Sequence, residues 1–348
     1  LGFIYSILGK SFSLLNDKGN ISLITPNKWL AIQYGAALRQ LLFPYIYNVS
    51  DYSNFYAFES ADVSTVVVMA KKNKVDDIHV VKFNNEFVVS GENVIEKKLI
   101  EPYDNISLCL SDNFETLHKL INNKKLGQDF DISGAATVSE TYEIAKILED
   151  KVDIDSNRYF KFINTGTIDK FISHWGKEEM TYVKVKYLNP VVRKDILLET
   201  FPRRFKQALM PKLITTGIRY FEVYGDFKGE YLAAKSTQII TSKGDLDIKT
   251  VLPILNSNVV FFFIKEAYGG LAMGGGITFS PDNLSKIPIP NLNDEQISDL
   301  NSLSDRFTNV FDENSQNQLD QYVYQLYNLN QDDIDIIEQF KINSRRKR

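Results

Sequence analysis

The sequence predicts an α/β fold in more than one part, and three observations predict it. Helical and strand patterns alternate as far as Val75, which is how a sheet with crossover helices reads. Beyond Val75 the pattern changes to short strands and loops. At 44% hydrophobic and 24% charged, the 348-residue chain has the composition of an ordinary soluble globular protein, long enough for two domains.

The elements follow in order. In FIYSILGKSFSLL the apolar positions 3, 4, 7, 8, 12, 14 and 15 recur at helical spacing, so a helix is expected over Phe3–Leu15. NDKGN is a turn, and ISLIT a short strand ended by Pro26. YGAALRQLLFPY is a second helix, stopped near Pro44, and IYNVSDY and VSTVVVMAKK are two more strands. Three strands leave an open, half-covered sheet, and the chain begins at Leu1, without methionine, inside a helical pattern. Both point to a piece of a longer protein with further strands upstream. IHVVKFN and EFVVSG are short strands, and a helix opens after the N-cap candidate Asn113 and closes before Gly127. Residues 128–290 mix short strands with one clear helix near 249–268, punctuated by GGLAMGGG and KIPIP. Two amphipathic helical stretches follow Asn291, and SRRKR is a basic tail. The divisions expected are 1–75, 76–110 as a connecting segment, 111–290, 291–342 and the tail 343–348.

Composition excludes several chemistries. The single cysteine, Cys109, rules out an intrachain disulfide and any cysteine-cluster metal site, and fits a reducing cytoplasm. His79, His118 and His174 are scattered and form no metal or nucleophile motif, so no metal is expected. No apolar run reaches the roughly 18 residues that span a bilayer, and no membrane partner is expected. The net charge of −4 argues mildly against a nucleic-acid partner. The charge is uneven, however. Residues 184–219 carry Lys184, Lys186, Arg193, Lys194, Arg203, Arg204, Lys206, Lys212 and Arg219 against Asp195 and Glu199, whereas 312–338 is acidic.

One residue stands out before the third strand. Phe58 lies in AFESAD, a loop-like segment, just ahead of Val66–Met69. It is either core over which the loop folds back or a platform held out for something flat. Phe55 and Tyr56 are weaker candidates in the same loop.

The ordered set GNISLITPNKWL, YGAALRQLL, NFYAFESADVSTVVVMAKK, KFINTGTIDKF, MPKLITTGIRYFEVYGDF, ILNSNVVFFFIKEAYGG and LSKIPIP resembles γ-class DNA adenine-N6 methyltransferases of the TaqI and type IIG restriction–modification branch. No single motif is diagnostic; the ordered set, over nearly the whole chain, is moderately specific. The resemblance implies the C-terminal part of a Rossmann-like methyltransferase sheet over 1–75, a TaqI-like target recognition domain over 111–290, and C-terminal helices. The family's cofactor glycine loop and its Asn-Pro-Pro-Tyr motif are missing from the sequence. S-adenosylmethionine is therefore expected in the full-length enzyme only, with none bound by this fragment. The partners implied are double-stranded DNA and the missing N-terminal methyltransferase portion, with or without a nuclease.

The chemistry of that family gives particular residues work to do. Adenine N6 lies inside the duplex, so the base must flip out; this costs a few kcal/mol, and stacking on an aromatic returns roughly 1–3 kcal/mol. The resemblance places Phe58 as that aromatic. After the strand ISLIT, Asn27 and Lys28 stand where α/β sheets put their sites, while Trp29 is expected to pack. Base edges and phosphates call for Arg, Lys and small polar groups. FPRRFKQALMPKLITTGIRYF offers Arg203, Arg204, Lys206, Lys212, Arg219 and Tyr220, either as a backbone-tracking strip or as a solvated face. Thr165 and Thr167 in NTGTIDK, and Lys235, complete the DNA-binding candidates. DLDIK has nuclease residue types, but Asp247 fits a helix cap better. Two other classes stay open: a protein-interaction module using the amphipathic C-terminal helices, and a methyltransferase acting on RNA or protein.

Overall fold

The computed structural model describes residues 2–53, 63–217, 220–269 and 278–343. Two units emerge, Leu1–Asn122 with Phe263–Ile277, and Asn123–Phe262 with Thr278–Arg348. Both are mixed α/β, as expected.

In the first unit, α1 (Gly2–Ser13) and α2 (Ala36–Leu42) accompany a five-stranded sheet of order β1-β3-β2-β4-β5. Its strands are β1 (Asn20–Pro26), β2 (Ile46–Asp51), β3 (Thr65–Lys71), β4 (Asp77–Phe83) and β5 (Val89–Glu96). β1 and β2 both pair antiparallel with β3, β2 pairs parallel with β4, and β5 closes a hairpin on β4. The stretch 76–110, expected as a connecting segment, thus widens the sheet. Alternation puts Ile46, Val49, Val66, Val68, Ala70, Ile78, Val80 and Ile95 in the core. Each large one contributes about 1.5–3 kcal/mol by leaving water. The opposite face is half covered. There Ser50 Oγ donates to Asn48 Oδ1 at 3.0 Å, and His79 links Asn48 and Glu92 through its two ring nitrogens. β1 is an outer strand, with Ile24 60% exposed.

Two buried anchors hold the first unit. Trp29 is fully buried, as expected, and its Nε1 donates to Thr25 Oγ1 at 2.9 Å. Arg39 of α2 is also buried. Its guanidinium spans Asp104 at 2.8 and 2.6 Å and the carbonyls of Trp29 and Ile32. Asn113 precedes the helix Phe114–Ile121 but does not cap it; its amide donates to Glu266 Oε1 at 3.2 Å instead.

The second unit carries two four-stranded sheets. In one, Tyr159–Ile163 pairs parallel with Tyr231–Ala233 and antiparallel with Pro190–Arg193, which pairs in turn with Leu148–Asp150. In the other, Lys212–Thr216 lies between Val223–Asp226 and Thr237–Ser242, and the latter pairs with Phe130–Gly134. Phe160, Phe162, Val192 and Leu197 centre one core, and Ile163, Ile214, Tyr231 and Ile239 the other. A small hairpin, Met180–Tyr182 with Val185–Tyr187, packs Met180 and Tyr182 into the first of these cores.

The single helix expected near 249–268 is two, Ile248–Leu255 and Asn258–Tyr268, bent by 69°. Asn256 makes the break: its amide accepts from Val223 N at 3.0 Å and donates to Val223 O at 2.9 Å. Asp320 Oδ1 then accepts Asn258 N at 2.7 Å, capping the second helix. Asp247 caps the first, accepting from Lys249 N at 2.9 Å, in keeping with the cap reading of DLDIK. After Asn291 the helices are Asp294–Phe307, Glu313–Leu326 and Gln331–Asn343; the second expected stretch is split where Asn328 turns left-handed (φ 52°). No single helix is long and apolar enough to cross a membrane among the described residues.

Candidate nucleic-acid interface

In the second unit, turns from both sheets meet at one edge. The strand Tyr159–Ile163 ends in the turn Asn164–Thr167, and its parallel neighbour Tyr231–Ala233 runs on into a turn at Lys235 and Ser236. Thr165 Oγ1 donates to Ser236 O at 2.6 Å, and Thr165 N donates to Ser236 Oγ at 3.3 Å. From the other sheet, Gly217 N reaches Thr165 Oγ1 at 3.4 Å. Gly217 must be glycine: a Cβ there would lie 2.1 Å from Ser236 O. Its carbonyl accepts from Phe279 N at 2.9 Å, so the chain returns to this edge after the glycine-rich segment. Asn164 adds the small hairpin, its Nδ2 donating to Thr181 O at 3.2 Å.

The threonines therefore act differently from the expectation that their hydroxyls meet a ligand. Thr165 spends its hydroxyl on Ser236 and Gly217, and Thr167 is buried, bonded to Asn164 O at 3.2 Å. They are struts. What they leave exposed is Gly166, Lys235, Ser236 and the hairpin residues Thr181 and Val183–Lys186.

The basic stretch also divides. Arg203 and Lys206 are exposed on the helix Pro202–Leu209. Arg204, on the opposite face, is 3% exposed and holds both oxygens of Glu140 at 2.8–3.1 Å, plus Gly134 O and Gln207. The Arg204 guanidinium lowers the Glu140 carboxyl to about 2. Lys212 is fully buried, at the far end of its strand from Gly217. Its ammonium bonds Asp226 Oδ2 at 2.5 Å and the carbonyls of Ala208 and Met210. Burial pulls its pKa down, and Asp226 opposes the shift. Arg204 and Lys212 thus belong to the scaffold, because each charge is desolvated and paired inside the protein. Tyr220 is half-buried, and its carbonyl accepts from Thr216 Oγ1. Arg219 lies outside the described residues. Lys184, Lys235, Arg203 and Lys206 form no salt bridge among the described residues.

The first unit has a second polar cluster, at the end of β1. Phe58 lies outside the described residues, as do Phe55 and Tyr56. The residues that flank their segment are described, and both meet Asn27. Its Nδ2 donates to Ser53 Oγ at 3.1 Å, and its backbone N donates to Ser64 O at 3.0 Å. Asn27 is 1% exposed, whereas Lys28 beside it is exposed and in no salt bridge among the described residues. Asn27 therefore fastens both stems of the segment that carries Phe58.

Sequence reasoning singled out Lys184 and Lys186 only as part of a charge count. The only pattern there, the alternation VKVKY, reads as a single strand and does not mark the hairpin. Among the described residues no group of three metal-ligating side chains assembles.

No family model matches the chain, and no curated protein matches it in sequence. Among solved structures it is similar to the type IIG restriction endonuclease BpuSI, with 11% identity and TM-score 0.38, covering 98% of this chain and 49% of that one. It is similar to the type IIL restriction–modification enzyme MmeI in complex with DNA, with 10% identity and TM-score 0.48, covering 98% and 52%. It is similar also to a nuclease-deletion mutant of the type ISP enzyme LlaGI in complex with a DNA substrate mimic, with 12% identity and TM-score 0.41, covering 86% and 36%. The chain spans about half or less of each.

Proposed function

We propose that the chain is the DNA-reading portion of a site-specific DNA adenine-N6 methyltransferase of restriction–modification or phage-defence type. One observation carries the reading: turns of two sheets are locked together by Thr165, Ser236 and Gly217, while nearby Lys184 and Lys235 are left without acidic partners. A rigid edge with free cations suits a phosphate backbone, which fixes register, with base contacts made from the same edge. In the full-length enzyme, S-adenosylmethionine bound by the upstream portion supplies the methyl group. Phe58 stacks on the flipped adenine, and Asn27 holds the stems of its loop. Further strands continue the sheet from the outer strand β1, where Ile24 is exposed.

The test is anisotropy of a labelled duplex with the protein in rising salt. Affinity should fall log-linearly, each neutralised phosphate adding about 0.9 to the slope. Lys235→Ala should flatten the slope by about one. No binding at any salt would overturn the reading. It would leave the second one, a subunit-assembly module, which the exposed Phe87, Val88 and Val89 at the β4–β5 turn favour.

A further inference from the structure

We infer that the hairpin Met180–Tyr187 is the element that reads base edges, with Val183 and Lys184 at its tip entering the major groove. This rests on the DNA-reading function proposed above and assigns it to particular residues. Tyr182 pairs with Val185, so Val183 and Lys184 form a two-residue turn, and both are left-handed, with φ 45° and 70°. Such a turn strongly prefers Asn-Gly or Asp-Gly. A β-branched residue with positive φ is an outlier that costs stability. Lys184 recovers none of that cost inside the protein, and Val183 only part of it. Val183 is 37% exposed and Val185 51% exposed, and Lys184 is exposed without a salt bridge among the described residues.

The base of the hairpin, by contrast, is rigid. Met180 and Tyr182 are buried, Tyr182 packs edge-on to Phe162 at 4.8 Å, and Asn164 holds Thr181 O from the turn that carries Thr165. A costly tip on a firm base is a tip kept for what it touches. A two-stranded ribbon fits the major groove, where lysine reads guanine O6 and N7 and valine methyls pack on the thymine methyl.

The experiment selects duplexes from a random pool with the full chain. It then compares the wild type with Val183→Asn/Lys184→Gly, which installs the preferred turn, and with Lys184→Gln, which leaves the turn residues otherwise intact. Expected are a higher melting temperature for the double variant and at least a tenfold loss of preference for the selected site in both variants. Low-salt affinity for random duplex should fall by the same factor in both variants, that of one lost charge, and by less than the site preference. Unchanged site preference in both folded variants overturns the assignment, while the DNA-reading function stands and the tip falls to a protein contact. A lower melting temperature for the double variant overturns the strain premise, and Lys184→Gln then decides the assignment alone. Failure of the wild type to enrich any sequence overturns the function itself, and the assignment with it.

Discussion

Two ion pairs at the residue scale turn an apparent ligand-binding strip into scaffold. Lys212 and Asp226 are both buried, and Asp226 also accepts the backbone N–H groups of Glu230 and Tyr231. Asp226→Ala strands a buried ammonium and should cost about 3–5 kcal/mol in urea unfolding. Lys212→Met should cost less, because Asp226 keeps its two backbone donors, and it should leave the salt dependence of DNA binding unchanged. For Arg204 and Glu140 the pH dependence gives the check. The Glu140 carboxyl is lowered in the folded state from 4.5 to about 2. Its contribution is therefore full above about pH 4.5 and is lost as pH falls through about 2. At 1.36 kcal/mol per pH unit the lowering from 4.5 to about 2 comes to a little over 3 kcal/mol at pH 7, which solvent screening of this part-exposed carboxylate reduces to about 2–3 kcal/mol. Glu140→Gln should lose that amount at pH 7 and nearly none at pH 2, measured as unfolding free energy. Neither pairing is legible in sequence. Arg204 meets Glu140 across 64 positions, and its place on the buried face beside Ala208 depends on which side of a short helix packs.

Elements were legible wherever pattern and punctuation agreed. The first two helices and β1 to β3 fall where periodicity and Pro26 put them, and Asp247 caps its helix. Signals present but passed over include Thr137-Val-Ser-Glu140, a capping box that opens the helix Val138–Lys146. The polar run Asn256-Ser257-Asn258 likewise marked a helix break inside an otherwise apolar stretch. Which turns would gather at one edge could not be read, because strand order across two sheets decides it. The strictest demand at that edge is Gly217. Gly217→Ala drives a methyl into the carbonyl of Ser236 and should cost about 1–3 kcal/mol by overpacking. It should also loosen Lys235 and Ser236, raising their amide exchange rates while the sheet cores stay protected.

At the scale of the whole molecule, the two units divide the proposed work. In that proposal the second unit reads the duplex, and the first carries the segment that contains Phe58, with Ser53 and Ser64 at its described ends bonded to Asn27. Phe58→Ala in that enzyme should slow methylation ten- to a hundredfold, which matches the roughly 1–3 kcal/mol of lost base stacking, with non-specific affinity unchanged. Asn27→Ala should follow it in direction, and equal single-turnover rates for wild type and both variants would remove the role given to that loop. The bend at Asn256 carries a consequence of another kind, for biosynthesis. Straightened, the apolar residues from Ile248 to Tyr268 would make a helix about 30 Å long, the thickness of a bilayer's hydrocarbon core. A nascent chain offering such a helix would suit the translocon. Broken where Asn256 bonds Val223, the stretch is instead two helices, each too short to cross that core.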